Sequence, residues 1–263
     1  MDTVRDPVYV DYDYYARHQL VQPTGEEKSL IERLLVTAED IVHDFTHRRF
    51  LPIQATLADD IDADDTTLTL VDSGWPISSG SLVAIEDELI RLGSRVKLGD
   101  RNTFTVTVRG MGETTAAVHE ADTAVYEVKG FRGNGRTTLN IGDFIQFNAI
   151  WAGMTSYSSV DTAYIIPVPT EWSRYTQLLY DGYWSYGVQY WISAVWGYGW
   201  ETPEPVKQAV VRITEDMMER RATPGLSLVA YETVEGQAVR YRELGRMPMD
   251  AEQMLRPYRL IKL

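Results

Sequence analysis

Two amphipathic helical segments, at residues 24–45 and 203–221, bracket most of the chain, and nearly everything between them reads as strand. In the first, Leu30, Ile31, Leu34, Leu35, Ala38, Ile41, Val42 and Phe45 recur at helical spacing. In the second, Val206, Ala209, Val210, Ile213 and Met217 do the same. Such a stripe has to be buried against another element. The two segments therefore read as halves of one small helical module with β material inserted between them. Their ends are marked. Thr24-Gly25-Glu26-Glu27 has the pattern of a capping box, and Pro203 or Pro205 suits a first helical turn. Arg48 and Arg49 follow the first helix and Arg220 and Arg221 end the second, where the helix dipole favours positive charge.

The inserted material has two textures. Within residues 56–128, Thr67-Leu68-Thr69-Leu70-Val71, Ser81-Leu82-Val83-Ala84-Ile85, Glu88-Leu89-Ile90-Arg91-Leu92 and residues 103–108 alternate or cluster as strands do. Ser73-Gly74-Trp75-Pro76 and Leu98-Gly99-Asp100-Arg101-Asn102 punctuate them as turns. This stretch reads as a separable antiparallel β module. Residues 129–200 hold six of the seven tryptophans, at 151, 172, 184, 191, 196 and 200, with tyrosines interleaved. The run 188–196 reads as a central strand. Such side chains fill β cores and dominate protein interfaces, which places Tyr183, Trp184, Trp196, Tyr198 and Trp200 at an expected subunit interface. A glycan-binding face is the alternative use of this aromatic belt.

The expected class is α+β: a helical core, a large antiparallel β insertion and an extended C-terminal tail. Residues 1–23 alternate acids and tyrosines and read as an extended arm; residues 24–55 with 129–225 form a discontinuous core; 56–128 are the inserted module. Residues 226–263 form a tail with one helical candidate at 250–255, closing on the basic and apolar Arg256-Pro257-Tyr258-Arg259-Leu260-Ile261-Lys262-Leu263.

Composition excludes several functions. The formal net charge of the 263 residues is −13, whereas tight nucleic-acid binding calls for a basic stripe that displaces counterions. The absence of cysteine removes disulfides, thiolate metal sites and cysteine nucleophiles together. No apolar run reaches the ~18–20 residues that span a bilayer, so no membrane partner is expected, and residues 1–15 lack the pattern of a signal peptide. Asp60, Asp62 and Asp64 open like a calcium loop, but Asp65 stands where glycine is needed and Val71 where a glutamate is needed. Gly133-Asn134-Gly135 begins a dinucleotide fingerprint that Thr138 breaks. Gly182 is one residue too far from Ser185 for a nucleophile elbow. His43 and His47 share a helix face without a third ligand. No catalytic residue, metal site or cofactor site is therefore assigned, and no enzyme activity is expected.

Two sets of residues carry resemblances. Phe45-Thr46-His47-Arg48-Arg49-Phe50, with Val195-Trp196-Gly197-Tyr198-Gly199-Trp200-Glu201-Thr202-Pro203-Glu204-Pro205-Val206-Lys207-Gln208-Ala209, resembles the head–tail connector (adaptor) family of tailed bacteriophages. Arg48, Phe50 and the Gly-Tyr-Gly phrase match it, and Gly133-Asn134-Gly135-Arg136-Thr137-Thr138-Leu139 looks like the glycine turn and strand between them. The second set is Val71-Asp72-Ser73-Gly74-Trp75-Pro76, Ile85-Glu86-Asp87-Glu88-Leu89-Ile90, and Val108-Arg109-Gly110-Met111-Gly112-Glu113-Thr114-Thr115-Ala116-Ala117-Val118-His119. It is similar to a small β module of phage structural proteins, with Glu113 as one added residue. There Arg109 and His119 are expected to clamp a glycine turn by hydrogen bonds.

The resemblance implies a structural virion protein, assembled in the host cytoplasm and forming a ring, usually of twelve copies, below the portal. It implies contacts with the portal protein and with the next neck or tail-completion protein, and a lumen through which DNA passes without specific binding. The tail residues Leu255, Arg256, Pro257, Tyr258, Arg259, Leu260 and Ile261 are the expected portal-docking segment. A carbohydrate-binding or tail-fibre adhesion protein, using residues 151–200, is the rival expectation.

Overall fold

The computed structural model describes residues 6–18, 25–72, 75–98, 101–153, 158–169, 175–222, 231–234, 237–240 and 247–260. The chain divides into a helical unit, Met1–Arg48 with Thr202–Leu263, and a β unit, Arg49–Glu201. The fold is α+β, with the β unit inserted in sequence between the halves of the helical unit.

The helical unit contains α1 (Tyr12–Arg17), α2 (Lys28–Thr46), α3 (Glu204–Ala222) and α4 (Met249–Leu255). A tight 3₁₀ turn, Gly25–Glu27, leads into α2; Thr24, the expected cap, lies outside the described residues. Ile31, Leu35, Ala38 and Val42 of α2 are buried, as are Val206, Ala209, Val210 and Ile213 of α3. The helices pack α2 on α3 and α3 on α4, so each apolar stripe finds its partner far away in sequence. His47 ends α2 in the left-handed region, at φ 55°, and its N–H donates to the His43 carbonyl at 2.7 Å. That position usually falls to glycine.

Residues 6–18 correct the extended-arm expectation. The Asp11 carboxylate accepts from the Tyr14 N–H at 2.6 Å and caps α1, while Tyr15 and Ala16 are buried. Just before it, the N–H groups of Val8 and Tyr9 donate to Glu39 Oε1 at 2.8 and 2.6 Å. Six residues are too few for a helical period to register in sequence, and the buried acceptor is supplied from α2. The tail is also more structured than expected: Tyr231–Val234 pairs antiparallel with Gln237–Arg240, and α4 packs on α3.

In the β unit the strands are β1 (Ala55–Leu57), β2 (Thr67–Asp72), β3 (Leu82–Ile85), β4 (Glu88–Leu98), β5 (Arg101–Val108), β6 (Ala124–Arg132), β7 (Thr138–Ala152), β8 (Ser158–Ser159), β9 (Ile165–Pro169), β10 (Tyr175–Tyr180) and β11 (Gln189–Trp196). Six of them, in the order β1-β2-β5-β4-β3-β6, close into a barrel through pairing of β1 with β6. Closure removes the exposed strand edges of an open sheet. Leu57, Leu68, Leu70, Leu89, Phe104 and Val125 are among its buried residues.

The sheet then continues from β6 to β11, β7, β10 and β9. This corrects the expected boundary at 128/129, which falls inside β6. Val128 pairs with Leu82 of the barrel and also with Ser193 of β11, while Lys129 pairs with Ile192. Cutting there would break a strand that supplies hydrogen bonds to both sides. Residues 129–201 thus belong to the β unit rather than to the helical core. Among the described residues, no helix is long and apolar enough to cross a membrane.

Candidate functional site

The loop that follows β5 folds onto the turn between β3 and β4. Glu88, the first residue of β4, lies at the centre. Its carboxylate accepts from Arg109 Nε at 2.7 Å and Nη2 at 2.8 Å, from the Gly110 N–H at 3.0 Å and from the Ala117 N–H at 3.1 Å. Arg109 also donates to the carbonyls of Asp62 and Ala117, each at 2.7 Å. His119 Nε2 lies 2.9 Å from Glu88 and its Nδ1 2.8 Å from Glu86, so the ring bridges the two carboxylates. The backbones of Ile61 and His119 exchange hydrogen bonds at 2.9 and 3.0 Å. Gly110 sits at φ 57°, and a Cβ there would come within 2.8 Å of the Ala116 nitrogen, so the turn requires glycine.

The side chains of Glu88 and His119 are each only 1% exposed. Burial by itself pushes the Glu88 carboxyl up; the hydrogen bonds from Arg109, His119, Ala117 and Gly110 outweigh it and hold the group down at about 2. The lone pairs of Glu88 are taken up by these donors, which leaves it poorly suited to act as a general base. Chemically, the arrangement holds a loop in shape, as expected for Arg109 and His119. It forms one wall of an open cleft of about 820 Å³, whose lining includes Glu86, Asp87, Glu113, Asn148, Trp151 and Ser159.

A second polar cluster lies where β6 meets β11. Lys129 Nζ is 3.5 Å from Glu127 Oε2 and stands 4.4 Å from the centre of the Trp196 ring. Trp196 Nε1 donates to the Glu127 carbonyl at 2.7 Å. Burial pushes the Lys129 ammonium down, against the pull of Glu127. A few residues away, the Tyr198 N–H donates to the Arg49 carbonyl at 2.8 Å, and the Phe50 and Tyr198 rings meet edge to face at 5.1 Å. A Cβ at Gly197 would come within 2.7 Å of the Leu51 carbonyl. The Gly-Tyr-Gly phrase and the Arg-Phe phrase, about 150 residues apart in sequence, thus pack against one another.

The expected interface aromatics divide sharply. Trp184, Trp196 and Tyr198 are buried within the β unit, whereas Tyr183 and Trp200 are exposed. The correction follows from strand alternation and the return turn: Trp184 Nε1 donates to the Thr137 carbonyl and its ring packs edge to face on Tyr190. In the tail, Leu255 is buried, so it cannot dock; Arg256, Pro257 and Arg259 are exposed, and Tyr258 and Leu260 are half-buried. The Leu260 N–H donates to the Thr46 carbonyl at 2.9 Å and the Arg259 guanidinium lies over the Phe45 ring. Ile261 lies outside the described residues. The acidic turn closes on itself: Asp65 accepts from the Asp62 N–H and Asp60 from the Ala121 N–H, each at 2.7 Å.

No protein-family model matches the chain, and no curated protein matches it. Among solved structures, it is similar to one described as "Neck of empty GTA particle computed with C6 symmetry", at a TM-score of 0.42 and 10% identity, over 95% of this chain and 87% of that one. This likeness is weak and partial. That neck is described with C6 symmetry, not with the twelve copies expected above, and the dodecamer is withdrawn.

Among the described residues, no group of three or more histidine, aspartate or glutamate side chains is placed to hold a metal ion. The sequence contains no cysteine. Sequence reasoning missed Glu88 and Glu39, each a buried carboxylate that collects several N–H donors. The available signal for Glu88 was an acid set directly before the apolar pair Leu89-Ile90.

Proposed function

We propose that this chain is a head–tail adaptor: a structural subunit that forms a ring below the portal of a tailed, phage-like particle and joins capsid to tail around the path of the DNA. One observation carries the reading. The two phrases that resemble the connector family stand at the points where the chain leaves and rejoins the helical unit, and α2 and α3 pack together across the insertion between them. Burial of Trp151, Trp184 and Trp196 supports the reading from the other side, because it removes much of the aromatic belt that a sugar-binding face would use.

In this reading the helical unit is the working half, and the exposed Arg256, Pro257 and Arg259 are the part of the tail that meets the neighbouring neck component. The clamped loop around Glu88 keeps the β unit rigid under mechanical load. Electron microscopy of the purified protein, and of particles made without it, tests the proposal. A ring with a central hole, and capsids left unjoined to tails when the chain is absent, are expected. A compact monomer that binds sugar, or normal joined particles without the chain, would overturn it.

A further inference from the structure

Two loops of the β unit interlock into a single surface knob. Residues 132–137 and 183–188 are tied by backbone hydrogen bonds: Gly133 to Val188 at 2.8 Å, Gly135 to Trp184 at 2.7 Å, Trp184 to Arg136 at 2.8 Å and Gly187 to Gly133 at 3.0 Å. Underneath, Trp184 is buried and anchors the knob. On top, Tyr183 is 68% and Tyr186 87% exposed, and Arg132 and Arg136 are exposed as well. Among the described residues, neither arginine has an ion-pair partner. Residues 131–137 and 182–188 contain no acid, so the knob carries two positive charges on a chain of net charge −13.

The cleft beside the Glu88 clamp has the opposite character. Glu86, Asp87, Glu88 and Glu113 are among its lining residues, and no lysine or arginine is. Glu88 is consumed by the clamp, but among the described residues Glu86 and Glu113 each make one hydrogen bond, to His119 and Ser158, and retain acceptor capacity. Its volume of about 820 Å³ is that of a pocket able to enclose several large side chains. Arginine and tyrosine are, with tryptophan, enriched in interface hot spots, and a preordered backbone lowers the entropy cost of presenting them.

We infer that the knob formed by Arg132, Arg136, Tyr183 and Tyr186 seats in the acidic cleft of a second copy of this chain. Because the two surfaces differ, the contact is head-to-tail, and repetition of such a contact closes into a ring when the rotation permits. The inference deepens the adaptor reading and rests on it only for the ring. Self-association itself needs no phage context.

The test uses the full chain and two surface variants, Arg132→Glu with Arg136→Glu, and Asp87→Lys with Glu113→Lys. Circular dichroism first confirms that both fold like the wild type; sedimentation velocity over a concentration series then reads assembly. The wild type is expected to self-associate, and less so as salt rises. Each variant alone is expected to raise the apparent dissociation constant at least about tenfold, and an equimolar mixture of the two to recover hetero-association. A monomeric wild type, or either variant assembling like the wild type, overturns the inference. So does salt-sensitive binding of duplex DNA that disappears with the arginines while self-association persists. A ring retained by the arginine variant overturns the knob and leaves the adaptor reading standing.

Discussion

Arg109 and Glu88 face each other as a bidentate ion pair, with Nε and Nη2 at 2.7 and 2.8 Å from the two carboxylate oxygens and Glu88 1% exposed. Removing one partner of such a pair leaves an uncompensated charge in the interior, which costs about 3–5 kcal/mol. Arg109→Ala is therefore expected to destabilise the β unit by about that much. Urea denaturation followed by tryptophan fluorescence measures it. A loss below about 1 kcal/mol would mean that the loop relaxes and hydrates Glu88.

The pH dependence of the same carboxylate has a definite sign. Glu88 is held at about 2, below its ordinary 4.5. Its contribution is present above about 4.5 and is lost as pH falls towards 2. The stability difference between wild type and Glu88→Gln should therefore shrink across that window, read by denaturant midpoints at each pH.

Asp72 behaves in the opposite way. Burial raises its carboxyl from 3.8 to about 6, against the opposing pull of the Ile77 N–H, Arg95, Lys97 and Asn102. Its contribution is full below 3.8 and is lost as pH rises through 6. Asp72→Asn keeps an acceptor for the Asn102 side chain and removes the buried charge. The variant is expected to match wild type near pH 3.5 and to exceed it at pH 8, by roughly 1–3 kcal/mol, in paired thermal and urea melts.

Glu39 anchors residues 8–10, accepting their N–H groups from inside the helical unit, where it is fully buried. Glu39→Ala removes the acceptor. Hydrogen exchange at Val8 and Tyr9 should accelerate markedly while α3 keeps its protection. Unchanged exchange at both amides would show that side-chain packing of Tyr9 and Val10 holds the segment instead.

In the C-terminal segment, stability and docking fall on different residues. Leu255 is 0% exposed, and Leu255→Ala is expected to cost about 2–5 kcal/mol in a denaturation experiment. Arg256→Ala and Arg259→Ala together should change stability by less than about 1 kcal/mol while weakening co-sedimentation with the neck partner. If the double variant unfolds as readily as Leu255→Ala, the exposed arginines are structural and the docking assignment fails.

Much of the architecture was legible in sequence because local periodicity reports it. The apolar stripes of α2 and α3, the strands near 67–71, 81–85, 88–92 and 103–108, and the central strand near 188–196 follow from the 3.6- and 2-residue repeats of their side chains. Arg109 and His119 were expected as clamps through the resemblance of residues 108–119 to a phage β module with a glycine turn.

What tertiary structure alone decided is where long-range partners meet. Barrel closure depends on β1 pairing with β6, and the extent of the β unit depends on β6 pairing with both β3 and β11; no local pattern encodes either choice. The acceptor role of Glu88 and Glu39 is likewise invisible in sequence, because a carboxylate becomes affordable in the interior only after distant donors converge on it. For the aromatic belt, the sequence by itself determined that Trp and Tyr would concentrate at residues 151–200. The three-dimensional path of the chain decided that Trp184 and Trp196 would be buried and Tyr183 and Tyr186 would face solvent, since neighbours in a turn point to opposite sides of the same surface.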